Sequence, residues 1–175
     1  LGGAGNKAGI GNAMFTTTVS VDTDANYFYA LDRDNSRIQR FVKSTGEFVS
    51  WIGATRSTSP FWSRIPASLY GRGGFDDYSF TDMTSYWTSI AVSGDFLFIP
   101  DPRIHRIKKH RKKTGEMLGY IGLINSTSGL APTGPENCVG YTSGMTPDWC
   151  TGGGRTTSGS GIHGYSSPYS VAADS

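Results

Sequence analysis

A chain of 175 residues with 37% hydrophobic and 13% aromatic content can bury one modest core or several thin layers, and it is too apolar to be disordered by composition. Twenty-four glycines among abundant Ser and Thr exclude a mainly helical protein and suit a β protein with many turns. No stretch approaches the roughly 20 apolar residues of a membrane span, neither end carries a charged-then-apolar export signal, and the +2 formal charge is lopsided. Seven of the sixteen basic residues (Arg103, Arg106, Lys108, Lys109, Arg111, Lys112 and Lys113) fall in one run, leaving nine against fourteen acids elsewhere.

In chain order, the first apolar alternations are Val19/Val21, Tyr27/Tyr29/Leu31, Ile38 with Phe41, and Phe48 with Trp51 and Ile52. Asp, Asn, Gly and Ser-Thr-Gly punctuation separates them, which predicts four short strands in an antiparallel meander. A Gly/Ser/Thr-rich stretch, 54–87, follows. The same order then returns as Ile90-Ala-Val-Ser93, Phe96-Leu-Phe-Ile-Pro-Asp101, Arg106-Ile-Lys-Lys-His110, Thr114-Gly-Glu116 and Tyr120-Ile-Gly122. The offset is 71 residues over the first strand and 69 thereafter, and the difference falls in a turn, where it disturbs least. After a second polar stretch, 123–169, Ser170-Val-Ala-Ala-Asp174 opens a third copy. A Gly pair (Gly2-Gly3, Gly73-Gly74, Gly152-Gly153) and then an aromatic (Phe15, Tyr86, Tyr165) precede each first strand.

The expected organisation is repeat 1 over 1–53, an insert over 54–87, repeat 2 over 88–122, an insert over 123–169, and the first strand of a third repeat over 170–175. Each predicted sheet is apolar on both faces, so each needs cover on both sides, as in a propeller blade or a layer of a stack. The order V-x-V-D, N-x-(Y/F)-x-A-x-D, N-S-R-I-Q-R-F and T-G-x-F resembles the NHL repeat. Val21-Asp22, Asn26, Tyr27, Tyr29, Asp32, Asn35, Arg37-Ile38-Gln39-Arg40-Phe41 and Gly46 carry the likeness in the first copy. Val92, Phe96, Phe98, Asp101, Arg106, Ile107 and Gly115 carry it in the second, where Pro100, Pro102 and His110 depart from it. The resemblance covers roughly 70 residues, implies an all-β fold of four-stranded propeller-like blades, and leaves function open.

A closed propeller takes about 4 to 8 blades, and two copies plus one strand cannot close. Three ways out are open: the chain is an excerpt of a longer repeat protein, its copies gather into a ring, or they join head to tail in a filament. The last two are favoured, with the lone strand Ser170, Val171, Ala172, Ala173 expected to pair between subunits and Phe61 and Trp62 as aromatic contacts. Trp87 and Trp149 are expected to pack locally. Cys138 and Cys150, 12 residues apart in a loop-rich insert, suit a disulfide, and Asn125-Ser126-Thr127 is a glycosylation sequon. Both lean toward an extracellular or cell-surface location.

The basic run coincides with a predicted strand and its turn and lacks interleaved stacking aromatics, so it is expected to be a solvated edge or an acidic-partner contact rather than a nucleic-acid site. His105, His110 and His163 are too few and too scattered for a metal centre, and His110 is expected to replace a core Phe. Asp22, Asp32 and Asp34 sit at turns, where backbone hydrogen bonding accounts for them. No nucleophile, base or phosphate cradle stands out, so neither an enzyme nor a cofactor is expected. A structural subunit is the first functional expectation, and a glycan- or protein-binding propeller scaffold the alternative.

Overall fold

The computed structural model describes residues 9, 11–53, 62–64, 88–102, 105–124, 132–133, 138, 144–146, 148–152 and 168–174. These residues are all-β. Sheet 1 comprises β1 (Thr18–Thr23), β2 (Tyr27–Asp32), β3 (Arg37–Val42) and β4 (Phe48–Gly53). Sheet 2 comprises β5 (Ala91–Ser93), β6 (Phe96–Asp101), β7 (Arg106–Arg111) and β8 (Met117–Ile124). Each is an antiparallel meander in chain order, as the two sequence repeats predict. The second insert adds β9 (Pro132–Thr133), β10 (Gly144–Met145) and β11 (Thr151–Gly152): β10 joins β8 as a fifth strand of sheet 2, and β11 pairs with β9.

The turns show why the repeat words recur. Between β1 and β2, Asp24 Oδ1 accepts the N–H groups of Asn26 and Tyr27 at 2.8 and 2.7 Å, which holds the chain in a side-chain-closed turn. Between β3 and β4, Thr45 Oγ1 accepts the Glu47 N–H at 3.2 Å, and Gly46 takes φ +73°. Thr114, Gly115 (φ +83°) and Glu116 repeat that arrangement. Both turns are followed through the same register shift, at Arg40/Phe41 and at Lys109/His110, so Thr-Gly-Glu encodes a bulged hairpin. Ser36 and His105 occupy one left-handed position in the two repeats, at φ 50° and 56°. His105 is thereby a turn residue ahead of β7.

Strand alternation sorts each sheet into two faces. Tyr29, Leu31, Ile38 and Ile52 of sheet 1 form one buried cluster with Ile90, Leu97 and Ile99 of sheet 2, so the two sheets stack face to face. The first strands lie side by side: Ile90 N–H donates to Ser20 Oγ (3.1 Å) and Val92 N–H to Asp22 Oδ2 (2.7 Å). The far face of sheet 1 carries Phe28 and Phe41, stacked with centroids 4.8 Å apart, and is covered by the chain before β1, where Phe15 reaches Phe41 at 5.7 Å.

Candidate functional site

The face of each sheet that bears the repeat's Asp and Arg buries a polar network. In sheet 1, Asp32 accepts from Arg37 Nε (2.9 Å), Asn35 Nδ2 (2.7 Å) and the Thr16 N–H (3.0 Å). Arg37 Nη2 reaches the carbonyls of Gly11 and Met14, and Gln39 bonds both Met14 O and the Ala13 N–H. These side chains thus strap the N-terminal segment over the sheet. Burial lowers the Arg37 pKa and Asp32 pulls it back up. In sheet 2, Asp101 pairs with Lys108 at 3.2 Å, both fully buried, and Arg106 lies 3.5 Å over the Tyr120 ring. At the place of Phe41, His110 bonds the Gly115 carbonyl through Nδ1 at 2.9 Å. A carbonyl only accepts, so Nδ1 carries the proton. Burial drives the His110 pKa down to about 4; the Gly115 bond opposes this and Lys108 adds to it.

Each insert returns a tryptophan to its own sheet, and this the sequence reading did not find. Ser63 exchanges backbone hydrogen bonds with Trp51 on β4, and Cys150 exchanges the equivalent pair with Tyr120 on β8. The preceding residues, Trp62 and Trp149, fall on equivalent faces. Trp62 packs on Tyr29 (6.1 Å) and lies 4.3 Å from the Arg40 guanidinium. Trp149 packs on Phe98 (5.7 Å) and lies 5.1 Å from Lys109 Nζ. Phe98 and Lys109 are the repeat counterparts of Tyr29 and Arg40.

The two tryptophans differ in what lies beyond them. Trp62 donates from its indole to Lys112 O (2.9 Å) and from its backbone to Thr114 O (3.0 Å), so it joins sheet 1 to the β7–β8 turn of sheet 2. Gly115 makes room for it, since a Cβ there would stand 2.8 Å from Trp62 N. Trp62, expected as a contact between subunits, is instead half-buried between the sheets of one chain, because Arg40 and the turn carbonyls supply its partners locally. Trp149 has its local packing as expected, but among the described contacts its indole N–H has no acceptor.

Beyond Trp149 no further sheet follows among the described residues. Phe98, Ile107 and Ile121 are half-buried, whereas their counterparts Tyr29, Ile38 and Ile52 are buried under sheet 2. With Trp149 and Val171–Asp174 they line a cleft of about 290 Å³. The segment Ser170–Ala173 forms no strand ladder; it lies along the chain's own β5 and is exposed except at Val171. Ser89 Oγ accepts the Val171 N–H (3.0 Å), the Ser89 N–H donates to Tyr169 O (3.0 Å), and Ser93 Oγ donates to Asp174 O. Val171–Asp174 thus stands beside β5, through other residues than those by which β5 stands beside β1.

The basic run divides instead of forming one solvated edge. Arg106 and Lys108 are buried, Lys109 lies 4.0 Å over Phe96, and Arg111 and Lys113 are exposed. Lys112 bridges the sheets through an ion pair with Asp24 (3.0 Å). Burial raises the Asp24 pKa, but bonds from the Tyr27 and Asn26 N–H groups, Lys112 and the Tyr29 hydroxyl outweigh it and bring the carboxyl to about 2. These groups, with Arg40 and Lys113, line a polar rim cleft of about 320 Å³. Cys138 and Cys150 form the expected disulfide, buried beside Met117 and Tyr120. Phe61, Arg103, Asn125, Trp87 and His163 lie outside the described residues.

No protein-family model matches the chain, and no curated protein matches it. Solved structures do. One is apo AztD from Citrobacter koseri, with a TM-score of 0.42 at 13% identity. That match takes in 83% of this chain and 29% of the other. No helix among the described residues is long and apolar enough to cross a membrane.

Proposed function

We propose that this chain is a structural subunit of an extracellular assembly in which blade-like sheets stack from one molecule to the next. The observation that carries the reading is the inequality between matched positions: Tyr29, Ile38 and Ile52 are buried by the sheet that follows them, while Phe98, Ile107 and Ile121 are half-buried, with no following sheet among the described residues. A sheet with two apolar faces gains by covering the second one, at roughly 25 cal/mol per Å² of apolar surface removed from water. Since the half-buried surface and the surface that would cover it are different patches, the contact is head-to-tail, and such contacts give rings or filaments. The buried disulfide supports an oxidising compartment.

Negative-stain imaging and analytical sedimentation of the purified chain test this reading. The expected result is closed rings or filaments at micromolar concentration, lost on Ile107→Glu and Ile121→Glu, which place charges on the open face. A monodisperse monomer at all concentrations would reject it.

A further inference from the structure

The joint inside the chain describes, position by position, a second joint that the chain half builds. We propose that the open face of sheet 2 receives β2–β4 (Tyr27–Gly53) of a second copy of this chain, with Val171–Asp174 acting as the first strand of the sheet so completed. The proposal rests on the assembly reading above and specifies its surface.

Three observations fix the occupant. First, Trp149 repeats Trp62 on its sheet, from its aromatic neighbour to its cationic one. Trp62 is completed by the Lys112 and Thr114 carbonyls and by the space over Gly115. The same turn exists once more in the chain, as Lys43, Thr45 and Gly46, with its glycine again at positive φ and Lys43 and Thr45 exposed. A second copy therefore carries the carbonyl that the Trp149 indole N–H lacks. Second, the interface is continuous with one already formed, because Phe98, Ile107 and Ile121 repeat the residues of sheet 1 that sheet 2 covers. Third, Val171-Ala-Ala-Asp174 repeats Val19-Ser-Val-Asp22 and already stands in the first-strand place beside β5.

In the second copy the strand replaced is β1, and the segment before it, which covers Phe41 and bonds Arg37 and Gln39, leaves with it, so that the face of β2–β4 it covered meets sheet 2. β1 is an edge strand with a register shift between Thr18 and Ser20, and Val21 is 54% exposed. Asp174 supplies the carboxylate with which Asp22 accepts the Val92 N–H.

In the β1–β2 ladder Val21 faces Ala30, and Ala173 takes the place of Val21. Directly opposed strand residues lie about 4.5–5.5 Å apart, within reach of a disulfide. Ala173→Cys and Ala30→Cys chains, prepared separately, mixed and mildly oxidised, are expected to form a covalent pair, resolved by non-reducing electrophoresis and peptide mass spectrometry. Trp149→Ala is expected to reduce that product at least tenfold. As a variant independent of Ala30 folding, a chain ending at Tyr169 is expected to retain the β-sheet circular dichroism spectrum and to lose the assemblies. Assemblies that form without the cross-link, or that persist in the shortened chain, overturn this joint while leaving the assembly reading intact. Absence of both assemblies and cross-link in every preparation overturns the two together.

Discussion

Replacing His110 by Phe should remove the part of the acid sensitivity between pH 6.5 and pH 4 that this imidazole contributes. The imidazole is fully buried and held neutral by that burial, with its pKa lowered from 6.5 to about 4. Because the unfolded chain binds this proton more readily, the contribution is present above pH 6.5 and is lost as pH falls toward 4. At about 1.4 kcal/mol per pH unit, the loss attributable to this residue is on the order of 3 kcal/mol. In urea, with a slope of about 2 kcal/mol/M for a chain of this size, the midpoint should fall by roughly 1.5 M more in wild type than in His110→Phe between pH 7 and pH 4. The same position in sheet 1 is Phe41, so the variant has a tested side chain for the site. Its cost at pH 7 should stay near 1 kcal/mol, from the lost bond to the Gly115 carbonyl. Carboxylates that titrate in the same range act equally in both proteins and cancel in the comparison. Parallel pH profiles for wild type and variant would refute the assignment.

Lys108→Met leaves Asp101 buried beside an apolar side chain and should cost about 3–5 kcal/mol, whereas Lys108→Gln, which restores the Gln39 chemistry of sheet 1, should cost far less; paired urea titrations read the difference. Gly115→Ala forces a Cβ to within 2.8 Å of Ile52 Cγ2 and Trp62 N at φ +83°, and should destabilise by about 1–3 kcal/mol while altering the Trp62 environment in near-ultraviolet circular dichroism. Cys138→Ser removes a crosslink 12 residues in span, worth up to about 3 kcal/mol, and should lower the thermal midpoint without loss of sheet 1.

The sheets were legible because strand alternation and the Thr-Gly-Glu turns survive in both repeats, and the disulfide was legible because two cysteines share one insert. Lys108 was not, since a lysine in a basic run is ordinarily solvated; its signal was alignment with Gln39, two residues after an arginine that stands opposite an aspartate matched to Asp32. The tryptophan pair escaped for a different reason. Trp62 and Trp149 are 87 residues apart, not 69, because the inserts differ in length, and only the backbone bridges from Ser63 and Cys150 reveal them as equivalents. The place of Ser170–Ala173 depends on hydroxyls at Ser89 and Ser93, for which no strand pattern gives a signal.

The repeat is unequal in a way that bears on assembly. On the strap-covered face of sheet 1, Asp32 and Arg37 balance, and Gln39 and Phe41 are neutral. On the matching face of sheet 2, turned toward sheet 1, Asp101 pairs with Lys108 and stands opposite Arg106 in the ladder, and His110 replaces the phenyl ring. Protonating His110 would add a further buried cation beside Lys108, so acid should act first on the side of sheet 2 that meets sheet 1. The opposite face, lined by Phe98, Ile107 and Ile121, holds Lys109 and Asp174 at its margin but no imidazole, and gains most of its free energy from apolar burial. A joint made there should accordingly tolerate mild acid better than the face of sheet 2 that buries His110.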